Sequence, residues 1–134
     1  MRIQFVCLLL VLLSATVLSK NKNIKYRYNK FINQHIIAEM EVCSCDSVMR
    51  TRKIERKQIN TFIISDIPAV RSICVGNGEP DGNLTKSIKR FNIVVCKLRK
   101  CIYFGEIKEK KKVIIKCEGG FPVHYGRDID HCEN

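Results

Sequence analysis

The spacing of apolar and polar positions in the first third of the chain is that of a helix. In "YRYNKFINQHIIAEM", Tyr28, Phe31 and His35 recur at helical intervals, and Ile32 and Ile36 lie on the adjoining stripe. A polar, basic arm precedes this segment. The pattern predicts a short amphipathic helix whose buried edge carries His35.

Two further short helices are predicted before the sheet begins. In "CDSVMRTRKI", Val48 and Met49 face inward while the basic side chains face outward. In "SDIPAVRSIC", Ser65 or Asp66 provides an N-cap and Pro68 lies near the first turn. These segments place the predicted helices in the first half of the chain.

The later part of the chain has the pattern of strands. A first strand begins at Ile59, and "VGNGEPDGN" is typical of turns throughout. Four β-rich runs follow, separated by Gly and Lys clusters: "RFNIVVCKL", "KCIYFGEI", "KKVIIKCEG" and "FPVHYG". The order predicts an α+β domain with early helices and a late antiparallel sheet.

The N-terminus has the pattern of a secretory signal peptide. Arg2 precedes the apolar block "FVCLLLVLLSATVLS", which is shorter than a membrane span requires and ends in small residues. Val17 and Ser19 fit the small-residue positions of a cleavage site. We therefore predict a signal peptide at 1–19 and one secreted, extracellular domain at 20–134, with a retained membrane anchor as the alternative.

Removal of the signal peptide would leave an odd number of cysteines, so at least one is free or paired with another molecule. A secreted chain of this size favours disulfides over metal binding. The only close pair is "CSC", which does not have the spacing of a zinc site, so no metal is expected. The remaining cysteines are Cys43, Cys45, Cys74, Cys96, Cys101, Cys117 and Cys132.

Charge favours polyanionic partners. Lysine and arginine number 24 against 13 acidic residues, a formal net charge of +11. Such a balance supports salt-dependent contact with polyanions. A basic patch is predicted at Arg50, Arg52, Lys53 and Arg56. The patch is equally consistent with a solvated helix face and with a phosphate, heparin or nuclear-import surface. A separate sequon at Asn83 predicts glycosylation in a loop.

Three phrases, in order, resemble the pancreatic-type ribonuclease family: "KFINQH", "KQINTF" and "CEGGFPVHY". Supporting phrases are "CDSVMRTRKI", "VRSIC" and "VVCKL", and the resemblance runs from about Tyr28 to Tyr125. The short "GNGEPDGNLTKS" loop is similar to that of angiogenins and fish-type ribonucleases. The resemblance implies a ribonuclease A-like fold, with three short helices packed on a bent antiparallel sheet and stapled by disulfides.

The same resemblance assigns roles to particular residues. His35 matches the family's general base, His124 its general acid and Lys57 its transition-state cation, with no cofactor. Thr61 matches the residue that reads a pyrimidine base, and Gln34 a phosphate-contacting amide. Phe31, Phe62 and Tyr125 are interpreted as packing residues that shape the cleft, and His131 receives no role. The full predicted substrate-binding set is Gln34, Asn60, Thr61, Phe62, Glu118 and Tyr125.

The sequence departs from the family pattern at two places. Gly126 stands where an Asp usually orients the second histidine, and Asp128 lies two residues farther on. Arg56 replaces the cysteine that usually partners Cys101 and ties down the loop of Lys57. These departures predict reduced activity.

Disulfide pairing follows from the resemblance. It implies the bridges Cys45–Cys96 and Cys74–Cys117. Cys43–Cys101 is favoured over Cys101–Cys132, which would leave Cys132 as the spare thiol.

Two functions are therefore expected. The first is a secreted, metal-independent endoribonuclease that cleaves single-stranded RNA after pyrimidines through a 2′,3′-cyclic phosphate, with weak angiogenin-like activity. The alternative is a cationic antibacterial or angiogenic protein in which catalysis is secondary. The expected partners are RNA, heparin-like polyanions, bacterial surfaces or a ribonuclease inhibitor. The chain is expected to be a monomer, with uptake to the nucleus as a further expectation.

Overall fold

A computed structural model describes residues 20–130 of the chain. The predicted signal peptide, His131 and Cys132 lie outside the described residues. Within the described residues, no helix is long and apolar enough to cross a membrane.

Three helices lie in the first part of the domain. Helix α1 covers residues 20–35 of the described chain, so it includes the predicted polar arm and ends at His35 rather than at the predicted Met40. Helix α2 spans Cys45–Thr51 after a 3-10 turn at Val42–Ser44, and helix α3 spans Ile67–Arg71 before a 3-10 turn at Ser72–Cys74. Of the two candidate N-caps, Asp66 caps α3, because its side chain accepts the Ala69 amide at 2.9 Å.

Seven strands form a curled mixed sheet in the order β1-β2-β5-β6-β4-β3, with β7 pairing to β6. All adjacent strands are antiparallel except β1 and β2, which are parallel. The helices pack on this sheet, so the predicted α+β class and ribonuclease A-like fold are confirmed. The strand bounds are β1 Ile36–Ile37, β2 Ile59–Ile64, β3 Gly78–Asp81, β4 Leu84–Ser87, β5 Phe91–Arg99, β6 Ile102–Glu118 and β7 Phe121–Ile129.

The strand pattern differs from the sequence prediction in two regions. The segment predicted as turns contains the hairpin β3–β4, whose tip carries the exposed Asn83 of the sequon. Two predicted runs merge into the single strand β6, in which the charged residues 108–112 show no apolar alternation. Pairing sustains this strand, because its first part bonds β5 and its last part bonds β4 and β7. Because backbone hydrogen bonds hold this part of the strand, the hydrophobicity of its side chains does not predict it.

Two apolar clusters lie on opposite faces of the sheet. The first cluster packs α1 and α3 against one face and includes Phe31, Ile63 and Val95. The second cluster packs α2 against the other face and includes Met49 and Phe62. Alternate residues of β2 and β5 therefore belong to different clusters, as expected for strands covered on both faces.

Within residues 20–130, two disulfides tie the helical segments to the sheet. Cys45–Cys96 joins α2 to β5, and Cys74–Cys117 joins the 3-10 turn after α3 to β6. Both predicted pairings are present.

The predicted Cys43–Cys101 bridge is wrong, because both thiols are free and exposed. The segment containing Cys43 packs beside Gly105, since a side chain built at Gly105 would meet the Val42 carbonyl and the Cys45 sulfur. Cys101 lies at the β5–β6 turn, four residues before Gly105, or about 13 Å along an extended strand. The Cys43 thiol instead contacts the Glu41 carboxylate at 3.6 Å.

Candidate active site

His35 is the last residue of α1 and is held in one orientation. Its side chain is 7% exposed, and Nδ1 lies 2.8 Å from the Thr61 carbonyl oxygen on β2. A carbonyl can only accept, so Nδ1 carries the proton and Nε2 is left with a free lone pair. The rings of Phe31 and Tyr125 pack around the imidazole, with centroids at 5.2 and 5.3 Å. The geometry presents a neutral imidazole with its basic nitrogen available.

Burial, together with the nearby charges of Lys57 and His124, lowers the pKa of His35 to about 4, although the hydrogen bond to Thr61 opposes this shift. An isolated histidine would be partly protonated just below neutral pH. The His35 imidazole is therefore neutral across the physiological range.

This depressed pKa predicts a pH-dependent stability. Between pH 4 and 6.5 the unfolded chain binds a proton at His35 that the folded chain does not, so the free energy of unfolding should rise with pH in that window. This gain in the free energy of unfolding totals about 3 kcal/mol. It is complete above pH 6.5 and is lost as the pH falls toward 4. Urea denaturation of wild type and His35→Gln from pH 4 to 7 checks it. An equal slope in the two proteins would contradict it.

Lys57 is positioned by a buried asparagine. Its Nζ donates to Asn60 Oδ1 at 2.9 Å, while Asn60 Nδ2 donates to the Gln34 carbonyl at 2.7 Å. One side chain thus links the Lys57 ammonium to the end of α1. Burial, followed by the charge of Lys30, lowers the pKa of Lys57.

Tyr103 holds the backbone of the Lys57 loop. Its hydroxyl lies within hydrogen-bonding distance of the Glu55 carbonyl, at 2.9 Å, and also contacts the Lys57 carbonyl. Tyr103 is buried on β6, two residues after Cys101. The loop has no disulfide, as expected from Arg56 in place of the usual cysteine, but this hydroxyl fastens it to the sheet without a covalent bond.

His124 lies on β7 opposite Lys116 of β6, with its side chain exposed. Among residues 20–130, no side chain hydrogen-bonds the His124 ring. Gly126 forms a bulge, because Tyr125 pairs with Ile115 and Arg127 with Ile114. A Cβ at Gly126 would lie 2.9 Å from the Ile114 carbonyl oxygen, so this backbone excludes the usual Asp.

The three predicted catalytic residues line one cleft of about 520 Å³. The cleft also contains Gln34 and Tyr125 of the predicted substrate-binding set. Its other walls are Arg27, Lys30, Phe31, Lys116 and Val123. Within the described residues, no group of three or more His, Cys, Asp or Glu side chains could hold a metal ion.

The remaining predicted substrate-binding residues differ in accessibility. Thr61 is buried beside His35, and Asn60 serves the Lys57 contact. Glu118 pairs with Arg27 and, at 3.5 Å, with Lys116, and the Arg27 hydrogen bond lowers the pKa of its carboxyl. Phe62 is fully buried in the second cluster, on the sheet face opposite Thr61. The predicted substrate contact by the Phe62 side chain is therefore wrong. Phe62 is a packing residue, but it does not line the cleft that it was expected to shape.

Sequence reasoning missed three cations of the cleft. Arg27 and Lys30 precede the helix residues that were assigned, and Lys116 is the cross-strand neighbour of His124. Helical spacing could have placed both, because Arg27 lies two four-residue steps before His35 and Lys30 lies four residues before Gln34. The neighbour relation of Lys116 depends on a register that the sequence does not reveal.

The predicted basic patch divides into bound and exposed members. Arg50 pairs with Asp46 and donates to the Cys101 carbonyl, and Arg52 donates to backbone carbonyls at the end of α1. Lys53 and Arg56 are exposed. Two of the four predicted patch residues, Arg50 and Arg52, are therefore engaged in contacts within the protein.

The known proteins that this chain resembles in sequence and structure are ribonucleases and angiogenins. The family model described as pancreatic ribonuclease matches residues 26–126. "Ribonuclease-like 3" of Danio rerio is 32% identical, covering 92% of this chain and 93% of that protein. "Angiogenin-3" of Mus musculus is 34% identical, covering 75% and 77%. The solved structure of zebrafish RNase5 is 34% identical with a TM-score of 0.74, covering 78% of this chain and 96% of that one. The chain belongs to the pancreatic ribonuclease family.

Proposed function

We propose that the protein is a secreted, metal-independent endoribonuclease that cleaves single-stranded RNA on the 3′ side of pyrimidines. The observation that carries the proposal is the single cleft lined by His35, Lys57 and His124. Secretion rests on the predicted signal peptide at 1–19. Membership of a ribonuclease family supports RNA as the substrate.

The reaction follows from the positions of the two imidazoles. His35 Nε2 removes the proton of the 2′-hydroxyl, and the resulting oxygen attacks the adjacent phosphorus. The bond from phosphorus to the 5′-oxygen breaks as His124 protonates that oxygen. The products are a 2′,3′-cyclic phosphate and a free 5′-hydroxyl. DNA lacks the 2′-hydroxyl and is bound without cleavage.

The cations of the cleft act on the phosphate. Negative charge builds on the phosphoryl oxygens in the transition state, and Lys57 neutralises it from a position that Asn60 holds. Arg27, Lys30 and Lys116 line the same cleft and attract the neighbouring phosphates of the strand. No metal ion is needed for this charge stabilisation.

The base is read at Thr61. Its backbone already orients His35, and its hydroxyl is the group that pairs with a pyrimidine edge. Tyr125, stacked on His35, supplies the adjoining aromatic surface. The same segment of β2 thus recognises the pyrimidine and orients the general base His35.

We place the activity below that of digestive members of the family. His124 has no orienting carboxylate within residues 20–130, and the Gly126 bulge leaves no room for one. An imidazole that rotates freely spends less time in the productive orientation. Cleavage of the same RNA at a rate equal to that of a digestive ribonuclease would contradict this placement.

A second candidate is a cationic signalling or antibacterial protein in which cleavage is secondary. Two observations favour it: the net charge of +11 and the similarity to proteins named angiogenins. Assays of His124→Ala in RNA cleavage and in bacterial killing separate the candidates. Killing that survives loss of cleavage supports the second.

The proposed activity predicts RNA cleavage that EDTA does not inhibit, with a bell-shaped dependence of kcat/KM on pH. The acid limb should have its midpoint near pH 4, because His35 must be neutral and its pKa is lowered to about 4. Digestion of a polyuridine strand by protein beginning at Lys20, with and without EDTA and across a range of pH, measures both properties. Abolition of cleavage by EDTA would refute the proposal.

A further inference from the structure

The first half of β6 forms an edge of the sheet. Residues 102–111 pair with β5, whereas β4 and β7 pair only with residues 112–118. Among residues 20–130, no strand pairs with the other side of residues 102–111. The cleft residues all lie outside this segment. This half of β6 is therefore an open edge that is separate from the proposed catalytic residues.

Two hydrogen bonds show which backbone groups point outward from this edge. The Tyr103 amide donates to the Asp46 carboxylate of α2 at 3.2 Å, so it points away from β5. Leu98, which is paired with Tyr103, donates at 2.8 Å to the Gln58 carbonyl on the other side of β5. Backbone groups alternate in direction along a strand, so the N–H and C=O of Ile107 point outward as well. Within the described part of the chain, neither group has a hydrogen-bond partner on that side.

The charges beside Ile107 are complementary to those of a second copy. If two copies of β6 pair antiparallel about a two-fold axis at Ile107, Glu106 of each copy lies opposite Lys108 of the other. The Glu106 side chain is 60% exposed, although it lies 3.8 Å from the Lys97 ammonium. Lys108 has no ion-pair partner within residues 20–130. The axis therefore creates two cross-strand ion pairs, and it places Ile107, which is 49% exposed, against its own copy.

Neighbouring registers lose this complementarity. Moving the axis by one residue places either two Glu106 carboxylates or two Lys108 ammonium groups directly opposite one another, and like charges in that position are destabilising. Lysine on an edge strand usually prevents pairing with another chain. Here Lys108 meets a carboxylate in one register and is repelled in the adjacent ones. The same charges therefore select one partner strand and one alignment.

The other edges of the sheet do not have this property. Strand β3 contains Pro80, which has no N–H to donate to a further strand. Strand β1 consists of Ile36 and Ile37 alone. An edge strand of useful length, with its own complementary charges, is thus found in β6 among the described residues.

We propose that two copies of this chain associate through residues 105–109 of β6, paired antiparallel about a two-fold axis at Ile107. The two Ile107 residues exchange backbone hydrogen bonds, and the pairs of Glu106 with Lys108 flank them. The inference goes beyond the proposed function, because no cleft residue takes part. The paired segment is short and both copies are basic, so the dimer belongs to the weak, transient class. The monomer expected from the sequence is then the form present at low concentration.

The test exchanges the two charges and then mixes the variants. Sedimentation equilibrium from about 10 µM to 1 mM covers the range of a weak dimer. Glu106→Lys and Lys108→Glu each place like charges opposite one another twice in the interface, so each alone should dimerise about tenfold more weakly than wild type. An equal mixture of the two should associate as strongly as wild type, because every lysine then faces a glutamate of the other variant. A mixture that associates no better than its components would overturn the proposed pairing.

Glu79→Lys and Lys22→Glu are the matched controls, because they make the same changes of charge at exposed sites on β3 and α1. Alone or mixed, they should associate as wild type does. Ile107→Pro removes an N–H that has no partner in the monomer, and proline is tolerated on an edge strand in that orientation. It should fold yet lose most of the association. Equal association of Glu106→Lys and Glu79→Lys would overturn the interface.

Two further measurements distinguish this dimer from other arrangements. A dimer joined through the exposed Cys43 or Cys101 thiols would be covalent on a non-reducing gel. A chain ending at Asp130 tests whether the C-terminal residues cover the edge instead, and it should associate as the full chain does. Association that is only covalent, or that appears only after this truncation, would overturn the proposal.

The association is measured without RNA, so its outcome does not depend on the proposed nuclease activity. Glu106→Lys and Lys108→Glu should keep wild-type kcat/KM for RNA at concentrations where all of the proteins are monomers. A wild-type protein that cleaves RNA but stays a monomer at about 1 mM would overturn the dimer and leave the nuclease intact. A dimer that follows the charge exchange without cleaving RNA would support the interface alone.

Discussion

Replacing His35 by alanine is expected to lower kcat/KM for RNA cleavage by about 10²- to 10⁴-fold, the usual contribution of a general base. The Thr61 carbonyl holds Nδ1–H, so the opposite nitrogen is the proton acceptor of the cleft. Burial keeps that nitrogen unprotonated at neutral pH. Steady-state cleavage of a polyuridine strand at pH 7 measures the loss.

The control for this variant is His131→Ala, because the sequence assigns that histidine no role. It should retain wild-type kcat/KM. Binding of a DNA strand, which needs the cations but not the base, should be nearly unchanged in His35→Ala if the variant is folded. Cleavage by His35→Ala within a fewfold of wild type would show that another group accepts the proton.

Elements with a strong side-chain period could be predicted from the sequence. The helical stripe of Phe31 and His35, and the capping role open to Asp66, are local patterns that the fold preserves. The hairpin β3–β4 was not predicted, because its two short strands are mostly polar and show no apolar alternation. The middle of β6 was not predicted, because it depends on backbone pairing between distant segments. Propensity is overridden there by the neighbouring strands.

The candidate site, too, has one part that the sequence predicts and one part that it does not. The family phrases identify His35, Lys57 and His124, and in the structure all three line one cleft. The groups that hold them could not be found from spacing. Asn60 was assigned to substrate binding, yet its side chain positions Lys57, and Tyr103 replaces a lost disulfide with a hydrogen bond. The Tyr103 contact joins residues that the register of the sheet brings together, whereas Asn60 is only three residues from Lys57 and its role depends on where its side chain points.

Arg52 shows how a surface charge in the sequence can be a structural anchor. Its Nη1 donates to the carbonyls of Ile32 and Asn33 in the last turn of α1, at 3.4 and 2.9 Å, and to that of Ile36 at the start of β1, at 2.6 Å. The Asn33 side chain donates back to the Arg52 carbonyl at 3.0 Å. The last carbonyls of a helix have no partners within the helix, so this guanidinium supplies them. Its positive charge also opposes the negative end of the helix dipole.

Replacing Arg52 by alanine is expected to lower the free energy of unfolding by about 3 kcal/mol, since hydrogen bonds to charged groups contribute about 1.5 to 3 kcal/mol each and share one donor here. Urea denaturation with an unchanged m-value measures it. The adjacent Lys53→Ala is the matched control and should stay within about 0.5 kcal/mol of wild type. Arg52→Lys keeps the charge, but its flexible ammonium loses more side-chain entropy per hydrogen bond than the planar guanidinium does, so its loss of stability should be intermediate.

The same variant links stability to the site. Arg52 fastens the turn of α1 that ends in His35, and a displacement of about 1 Å there would cost on the order of 100-fold in rate. Arg52→Ala should therefore lose kcat/KM at temperatures where it remains folded, whereas Lys53→Ala should keep it. If the two variants were equally stable, Arg52 would be an ordinary surface cation. If Arg52→Ala were unstable but fully active when folded, its contacts would support the helix without positioning the base.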